Sequence, residues 1–254
     1  MKIVVAVKQV PDVSSVQTDD SGNIVREGIP SVLNPYCEYA VYMACRLKGD
    51  GPVTAVTMGP PQARGALLRC LELGADEAYL ISDKAFAGSD AFATSKVLSA
   101  FVRTHIPGYD LILCGKQASD GDTAEVPAEL ACMLGVQQFC YVDEIVAGDD
   151  LRVLQNYRDE KRICVVPLRS VISVSKGECN RRLPSINDYL RAADVEIKTL
   201  DKAALGLDEQ SAGVKGSKTR IISSRSSGVE RSCVTIDGTN PSDAADVIIK
   251  EAGM

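Results

Sequence analysis

The chain has 254 residues, of which 45% are hydrophobic and 24% charged, and its formal net charge is −6. These values are ordinary for a soluble globular protein that buries a core, either as one large domain or as one domain with an appendage. No apolar run reaches the roughly 18 residues of a membrane span, the first apolar run is too short for a secretory signal, and the acidic balance argues against nucleic acid as the main partner.

Strands and helices alternate over the first half of the chain. Continuous apolar runs predict strands over residues 2–7, 53–59, 78–82 and 110–115. Helical spacing of apolar residues predicts helices between them, over 35–48, 61–75, 89–106 and 125–134, with Asn34 as N-cap of the first. This alternation predicts an α/β fold with an open, mostly parallel, doubly wound, Rossmann-like sheet.

The second half of the chain has a different pattern of apolar residues. Residues 153–175 read as short strands separated by turns, which we expect to add antiparallel strands to the sheet. Hydrophobic density then falls, so we predict an α/β nucleotide-binding domain over 1–190 and a C-terminal arm over 191–254. The arm either wraps a partner subunit or is disordered. A short amphipathic helix is predicted near its end, over 240–253.

Nine cysteines, at positions 37, 45, 70, 114, 132, 140, 164, 179 and 233, form no C-x-x-C pair. A zinc or iron–sulfur site needs clustered ligands, so the sequence predicts no metal site. Most of these residues lie inside apolar segments. We therefore predict reduced, buried thiols in a cytoplasmic protein.

The loop over residues 115–126 is dense in Gly, Asp, Ser and Thr and leads from a predicted strand into a predicted helix. Ligands of open parallel sheets bind beyond the carboxyl ends of the strands. The first backbone N–H groups of the helix, at residues 124–126, could point at a phosphate, and Gly121 would let the backbone approach it. Alternatively, Asp122 or Thr123 merely caps the helix. The loop matches neither the Walker nor the dinucleotide glycine pattern, so the residues alone predict an α/β domain that holds a nucleotide phosphate.

Several segments, in order and over essentially the full chain, resemble the β subunit of electron-transfer flavoproteins. They are VAVKQVPD (5–12), NPYCEYAV (34–41), VTMGPPQA (56–63), LELGADEAYLISD (71–83) and LILCGKQASDGDTAEV (111–126). RLPSI (182–186) is similar to the family's partner-recognition loop. The resemblance implies a heterodimer with an FAD-carrying α subunit, and an adenine nucleotide, AMP or a second FAD, bound by this chain.

The resemblance also implies site residues. It places the adenosine part against Ala6, Asn34, Pro35, Tyr36, Cys37 and Met58. It places the phosphates against Gly115, Lys116, Gln117, Ala118, Ser119, Asp120, Gly121, Asp122, Thr123, Ala124, Glu125 and Val126. Leu183 would anchor a partner dehydrogenase, unless it is a leucine of the local core. Glu125 stands where relatives usually have Gln, so we expect its carboxylate to turn away, for example as a capping-box acid with Asp122.

Within the family, DGDTAEV at 120–126 and MGPP at 58–61 look like the bifurcating branch. In that branch a β-subunit FAD takes a hydride from NADH. One electron goes to ferredoxin or flavodoxin, and the other goes through the α-subunit FAD to an acyl-CoA dehydrogenase. We therefore expect an FAD-dependent electron carrier with NADH as donor. The alternatives are a scaffold that binds AMP structurally, and an adenine-nucleotide hydrolase, although no Ser-Gly-Gly-x-Asp-Ser loop follows the first strand.

Overall fold

The computed structural model describes residues 1–12, 17–18, 24–25, 30–157, 159–176, 183–208, 210–220, 222, 236 and 239–251. The chain divides into two compact units, Met1–Arg220 and Ile221–Met254. The second unit contributes one described helix near the C-terminus, and the remaining elements below belong to the first.

The strands, in chain order, are β1 (Ile3–Ala6), β2 (Gln9–Pro11), β3 (Gln17–Thr18), β4 (Ile24–Val25), β5 (Ser31–Leu33), β6 (Val53–Met58), β7 (Glu77–Ile81), β8 (Leu111–Gly115), β9 (Gln138–Val146), β10 (Arg152–Tyr157), β11 (Glu160–Val165), β12 (Ser170–Val174) and β13 (Ile197–Leu200). The α-helices are α1 (Pro35–Leu47), α2 (Arg64–Glu72), α3 (Ala91–His105), α4 (Val126–Leu134), α5 (Ile186–Asp194), α6 (Gly213–Gly216) and α7 (Pro241–Glu251).

Nine strands form the central sheet, in the order β11-β10-β9-β12-β8-β1-β6-β7-β13. All neighbours are parallel except the β9–β10 and β10–β11 pairs. Two small antiparallel pairs, β2–β5 and β3–β4, stand outside this sheet. The predicted α/β class and mostly parallel sheet are confirmed.

Helices cover both faces of the sheet. β1 is buried at all four positions, and because side chains of a strand alternate between its faces, Ile3 and Val5 pack into one core while Val4 and Ala6 pack into another. Helices α1 and α2 complete the first core, and α3 and α4 complete the second. This is the doubly wound arrangement that right-handed crossovers produce.

The sequence predicted the strands after residue 136 only in part. β10 pairs antiparallel with β9 and with β11, as expected, but β12 runs parallel to β8 deep in the sheet. β12 is buried at every position, which is typical of a parallel strand covered on both faces. β13 lies within residues assigned to the C-terminal arm and pairs with β7 at the sheet edge. The predicted amphipathic helix near the C-terminus is present as α7.

The cysteines are less uniformly buried than predicted. Cys37, Cys70 and Cys114 are buried free thiols, but Cys132 is exposed on α4. Cys179 and Cys233 lie outside the described residues. In the part of the chain that the structure describes, no helix combines the length and hydropathy that a membrane crossing needs.

Candidate nucleotide-binding site

The loop of residues 115–126 lies at the switch point of the sheet. From β1 the chain moves to β6 and β7 on one side, and then returns to place β8 on the other side of β1. Ala6, at the end of β1, therefore pairs with Val56 on one side and with Cys114 on the other. The connections that leave β1 and β8 begin side by side here, and such a crevice is where open α/β sheets bind ligands.

Gly115 allows the first turn of α1 to approach the end of β8. A Cβ added at Gly115 would lie 2.7 Å from the Cys37 nitrogen and 2.8 Å from the Tyr36 carbonyl carbon. Backbone atoms cannot yield to such a clash, so the position requires glycine. Gly115 therefore sets the depth of the crevice between the loop and α1.

Asn34 joins the start of α1 to the loop. It occupies the N-cap position of α1 but makes no side-chain cap bond, contrary to the expectation that it caps this helix. Instead its buried amide donates to the Gln117 carbonyl at 2.8 Å and accepts from the Ser119 N–H at 3.2 Å. The Asn34 N–H donates to the Lys8 carbonyl at 2.9 Å. One side chain thus fixes two backbone groups of the loop.

Cys37 lies beneath this junction. The Asn34 amide donates to its sulfur at 3.2 Å. Burial raises the pKa of the Cys37 thiol and outweighs the opposing effect of this hydrogen bond. Cys37 is therefore a neutral packing residue under the crevice rather than a reactive thiolate.

Lys8 and Asp120 close the loop against the end of β1. The Lys8 ammonium lies 2.8 Å from both carboxylate oxygens of Asp120. Their side chains are 49% and 34% exposed, so this is a surface pair that an incoming anion can reach. Sequence reasoning placed Asp120 in the site and left Lys8 out, although Lys8 follows the first strand directly.

The second half of the loop has an unusual backbone. Asp122 and Ala124 adopt left-handed φ values of 56° and 58°, which non-glycine residues rarely take. The Asp122 carboxylate accepts a hydrogen bond from the Gln117 amide, and the Asp122 N–H donates to the Ala118 carbonyl at 2.9 Å. A Cβ added at Gly121 would meet no atom within 4 Å, so the loop is open on that side.

Helix α4 begins at Val126 without a side-chain cap. Glu125 occupies the N-cap position and makes no cap bond, so the capping box with Asp122 that the sequence suggested is not formed. Among the described residues, the backbone N–H groups of residues 123–126 donate to no protein acceptor. Left-handed residues followed by a helix start turn such N–H groups towards a common anion.

Lys116 provides a second ammonium at the second position of the loop. Its N–H donates to the Val174 carbonyl at 2.7 Å, which fixes this residue to the end of β12. Its ammonium lies 5.9 Å from the ring centroid of Tyr36 and 5.2 Å from that of Tyr141. Tyr36 was predicted in the site; Tyr141, which lies on β9, was not.

The remaining predicted adenosine contacts include two residues at the carboxyl ends of neighbouring strands. Ala6 ends β1 and Met58, half-buried, ends the neighbouring β6. Pro35 is exposed in the first turn of α1. The Gln9 side chain donates to the Gln62 carbonyl at 3.0 Å, which ties the segments after β1 and β6 together.

These residues fit a nucleotide phosphate. Two ammonium groups, Lys8 and Lys116, and the N–H groups of residues 123–126 flank the loop. Asp120 is paired with Lys8, so it competes with an incoming phosphate for that ammonium, whereas Asp122 is bonded to the neutral Gln117 amide. Glu125 is exposed.

Leu183 lies just before α5. Its side chain is 80% exposed, which excludes the alternative that it is a leucine of the local core. Ile186 and Leu190 on α5 are 78% and 62% exposed. The helix starts with a full capping box between Ser185 and Asp188, so these apolar side chains stand on a well-defined helix.

Comparison with known proteins identifies the family. A family model described as "Electron transfer flavoprotein domain" matches residues 21–205. The electron transfer flavoprotein subunit beta of Clostridium acetobutylicum is 37% identical over 98% of this chain and 97% of its own length. The caffeyl-CoA reductase-Etf complex subunit CarD of Acetobacterium woodii is 35% identical over 99% and 97%, and the acryloyl-CoA reductase electron transfer subunit gamma of Anaerotignum propionicum is 33% identical over 98% and 97%. The chain belongs to the electron transfer flavoprotein β-subunit family.

Proposed function

We propose that this chain binds FAD at the loop of residues 115–126 and, with an FAD-carrying α subunit, forms a bifurcating electron-transfer flavoprotein of the cytoplasm. The observation that supports it most is the braced loop at the switch point: Asn34 fixes its backbone, Lys8 and Lys116 lie beside it, and the N–H groups of residues 123–126 donate to no acceptor among the described residues. Two relatives whose names tie them to acyl-CoA-type reductases also align over nearly the whole chain.

When bound, FAD would supply the electron chemistry of this proposal, namely hydride acceptance from NADH and transfer of single electrons to ferredoxin or flavodoxin and, through the α subunit, to an acyl-CoA dehydrogenase-type flavoenzyme. The chain's residues bind and orient. Lys8 and the N–H groups of residues 123–126 hold phosphate, while Asn34 fixes the loop that presents those groups. No side chain of this chain needs to act as acid or base.

Nucleotide content of the purified αβ complex tests the proposal. The complex is denatured gently, and the released FAD and AMP are separated by chromatography and quantified. Two FAD and no AMP per complex are expected. One FAD and one AMP would contradict a redox role for this chain, and would favour the alternative in which it binds AMP as a scaffold and only the α-subunit FAD is redox-active.

A loop variant assigns each nucleotide to its subunit. Asn34→Ala should remove one of the two FAD molecules from the complex and leave the other, because the Asn34 amide holds the Gln117 and Ser119 backbone. Asn156→Ala is the matched control, since Asn156 makes one side-chain bond on an exposed part of β10. Equal FAD content in Asn34→Ala and wild type would place both FAD molecules outside this loop.

A further inference from the structure

Strand β9 carries a bulge close to the nucleotide loop. Opposite β12, Phe139 pairs with Ile172 and Val142 pairs with Val174, so β9 has one extra residue between these pairs. Tyr141 lies in the bulge with φ 55°. A left-handed backbone at a bulky residue is strained and persists only where the surrounding structure imposes it, and bulges that re-aim a side chain are frequent beside functional sites.

The bulge aims the Tyr141 ring at Lys116, the second residue of the nucleotide loop. The Lys116 ammonium lies 5.2 Å from the ring centroid, and the Tyr141 N–H donates to the Ser173 hydroxyl at 3.3 Å. Tyr157 packs against the ring at 5.6 Å and an interplanar angle of 73°. Tyr141 remains 37% exposed. Although its ring packs against Tyr157, part of the ring is therefore accessible to a ligand.

The position of Tyr141 continues the path of the nucleotide across the sheet. Ala6 and Met58, the predicted adenosine contacts, end β1 and β6, and the predicted phosphate loop leaves β8. β12 and β9 follow on the far side of β8. From β6 to β9 there are four strand spacings, roughly 19 Å. A dinucleotide whose pyrophosphate lies on the loop has a second half that can extend in this direction, whereas AMP ends at its phosphate.

We propose that Tyr141, aimed by the β9 bulge and paired with Lys116, binds the flavin ring of an FAD whose pyrophosphate lies on the 115–126 loop. This inference rests on the proposed function and adds what selects FAD over AMP. An electron-rich phenol stacks favourably on an electron-poor flavin ring, and the Lys116 ammonium beside it favours negative charge on that ring.

Substitution of Tyr141 by asparagine tests the ring without changing the backbone. Asparagine adopts left-handed φ more readily than most residues, so Tyr141→Asn keeps the bulge and removes the ring. The full-length chain, stripped of nucleotide and verified as folded by circular dichroism, is titrated with FAD and with AMP by calorimetry. We expect the FAD affinity of Tyr141→Asn to fall about fivefold to tenfold, with the AMP affinity changed less than about twofold.

Two further variants control this experiment. Tyr141→Phe keeps the ring, so its FAD affinity should stay within about twofold of wild type. Arg169→Asn introduces asparagine at another left-handed residue, φ 63°. Arg169 precedes β12 and therefore lies at the N-terminal end of that strand, away from the carboxyl ends where the nucleotide loop lies. This substitution should leave the affinity for both ligands unchanged. Because a stacked phenol quenches flavin fluorescence, bound FAD should also fluoresce more strongly in Tyr141→Asn than in Tyr141→Phe.

The outcomes separate this inference from the proposed function. A wild-type chain that binds neither FAD nor AMP contradicts both. Equal FAD affinity in wild type and Tyr141→Asn, or a parallel loss for FAD and AMP, would overturn the ring-binding role while nucleotide binding stands. Wild-type FAD affinity no greater than that for AMP would overturn it as well, because the ring would then add nothing to binding.

Discussion

At the scale of single residues, Asn34 holds the site together. Removing its buried amide would leave the partly buried Gln117 carbonyl and the Ser119 N–H without their partner. Each hydrogen bond lost in this way costs about 0.5–1.5 kcal/mol. We expect Asn34→Ala to lower the free energy of unfolding in urea by about that amount and nucleotide affinity by about tenfold.

The control for this prediction is again Asn156→Ala, whose hydrogen bond to Asp143 is exposed and whose loss should change stability by less than about 0.5 kcal/mol. If Asn34→Ala unfolds like wild type and binds nucleotide equally well, the loop does not depend on this amide.

The Lys8–Asp120 pair gives a prediction with opposite signs for its two members. Lys8→Gln removes an ammonium from a phosphate and should weaken nucleotide binding. Asp120→Asn removes the carboxylate that competes for Lys8 and should strengthen it. Each effect should be about twofold to fivefold, because exposed pairs contribute about 0.2–1 kcal/mol, and both should shrink at high salt.

Equilibrium titration with FAD or AMP at low and high salt measures both changes. Lys48→Gln is the control, since Lys48 makes a similar 2.8 Å pair with Asp76 at the far end of α1. Weaker binding in both Lys8→Gln and Asp120→Asn would mean that the pair supports the loop and does not compete with phosphate.

Not every residue of the site could be read from the sequence. The loop itself was predictable, because a Gly- and Asp-rich segment joins a buried strand to a helix. Asn34 was predicted in the site but with the wrong contact, since a local N-cap pattern cannot show that another loop competes for the amide. Tyr141 gives no local signal: its left-handed backbone arises from the pairing of β9 with β12.

At the scale of elements, Asp90 fastens residues 217–219 to the start of α3. Its carboxylate accepts from the N–H groups of Ala93, Lys218 and Thr219 and from the Thr219 hydroxyl. Burial alone would raise the pKa of Asp90, but these hydrogen bonds outweigh it and lower the pKa from 3.8 to about 2. The ionised carboxylate is therefore the form that holds the two segments together.

The sign of the pH effect follows from this lowered pKa. The contribution of Asp90 to stability is fully present above pH 3.8 and is lost as the pH falls towards 2. We expect Asp90→Asn to be less stable than wild type at neutral pH, with the difference shrinking below pH 3.8. Urea unfolding across this range measures it, and a difference that stays constant down to pH 2 would contradict the assignment.

Proteolysis provides a second measurement of the same contact. Asp90→Ala should speed tryptic cleavage after Lys218 and Arg220, because the segment loses its anchor. Asp83→Ala is the control: Asp83 accepts from the Ala85 N–H at another helix start and from the Lys202 N–H, and among the described residues it accepts no hydrogen bond from residues 217–219. Equal cleavage rates in the two variants would mean that Asp90 does not restrain the segment.

The elements differ in how readily the sequence reveals them. The early strands and helices follow from their apolar runs and spacing. β12 also had a signal, because Val171, Ile172 and Val174 make it a short apolar run of β-branched residues, which is typical of a parallel strand buried on both faces. β13 had little signal in the sequence. Only Ile197 is buried in it, and its place in the sheet depends on pairing with β7, which is far away in the sequence.

At the scale of the whole molecule, the exposed apolar side chains at α5 predict where a partner enzyme docks. Leu183, Ile186 and Leu190 are each more than half exposed, and large exposed aliphatic side chains that stand together often mark an interface. Leu183→Ala should slow electron transfer to an acyl-CoA dehydrogenase-type partner by about tenfold, the loss of about 1.4 kcal/mol at an interface hot spot. Flavin content should not change.

Leu168→Ala is the matched control, because Leu168 is a leucine 56% exposed just before β12. Stopped-flow reduction of the dehydrogenase by the αβ complex compares the two variants. Lost flavin in Leu183→Ala, or equal transfer rates in both variants, would count against a docking role for Leu183.

The bond between the Ser119 N–H and Asn34 has a consequence for amide hydrogen exchange. Ser119 is exposed, yet its N–H donates to a side chain that is only 1% exposed. Its proton should therefore exchange with solvent slowly, and only when the loop lifts away from α1. A single amide signal would thus report the opening of the loop, and ligand binding should slow its exchange further in proportion to occupancy.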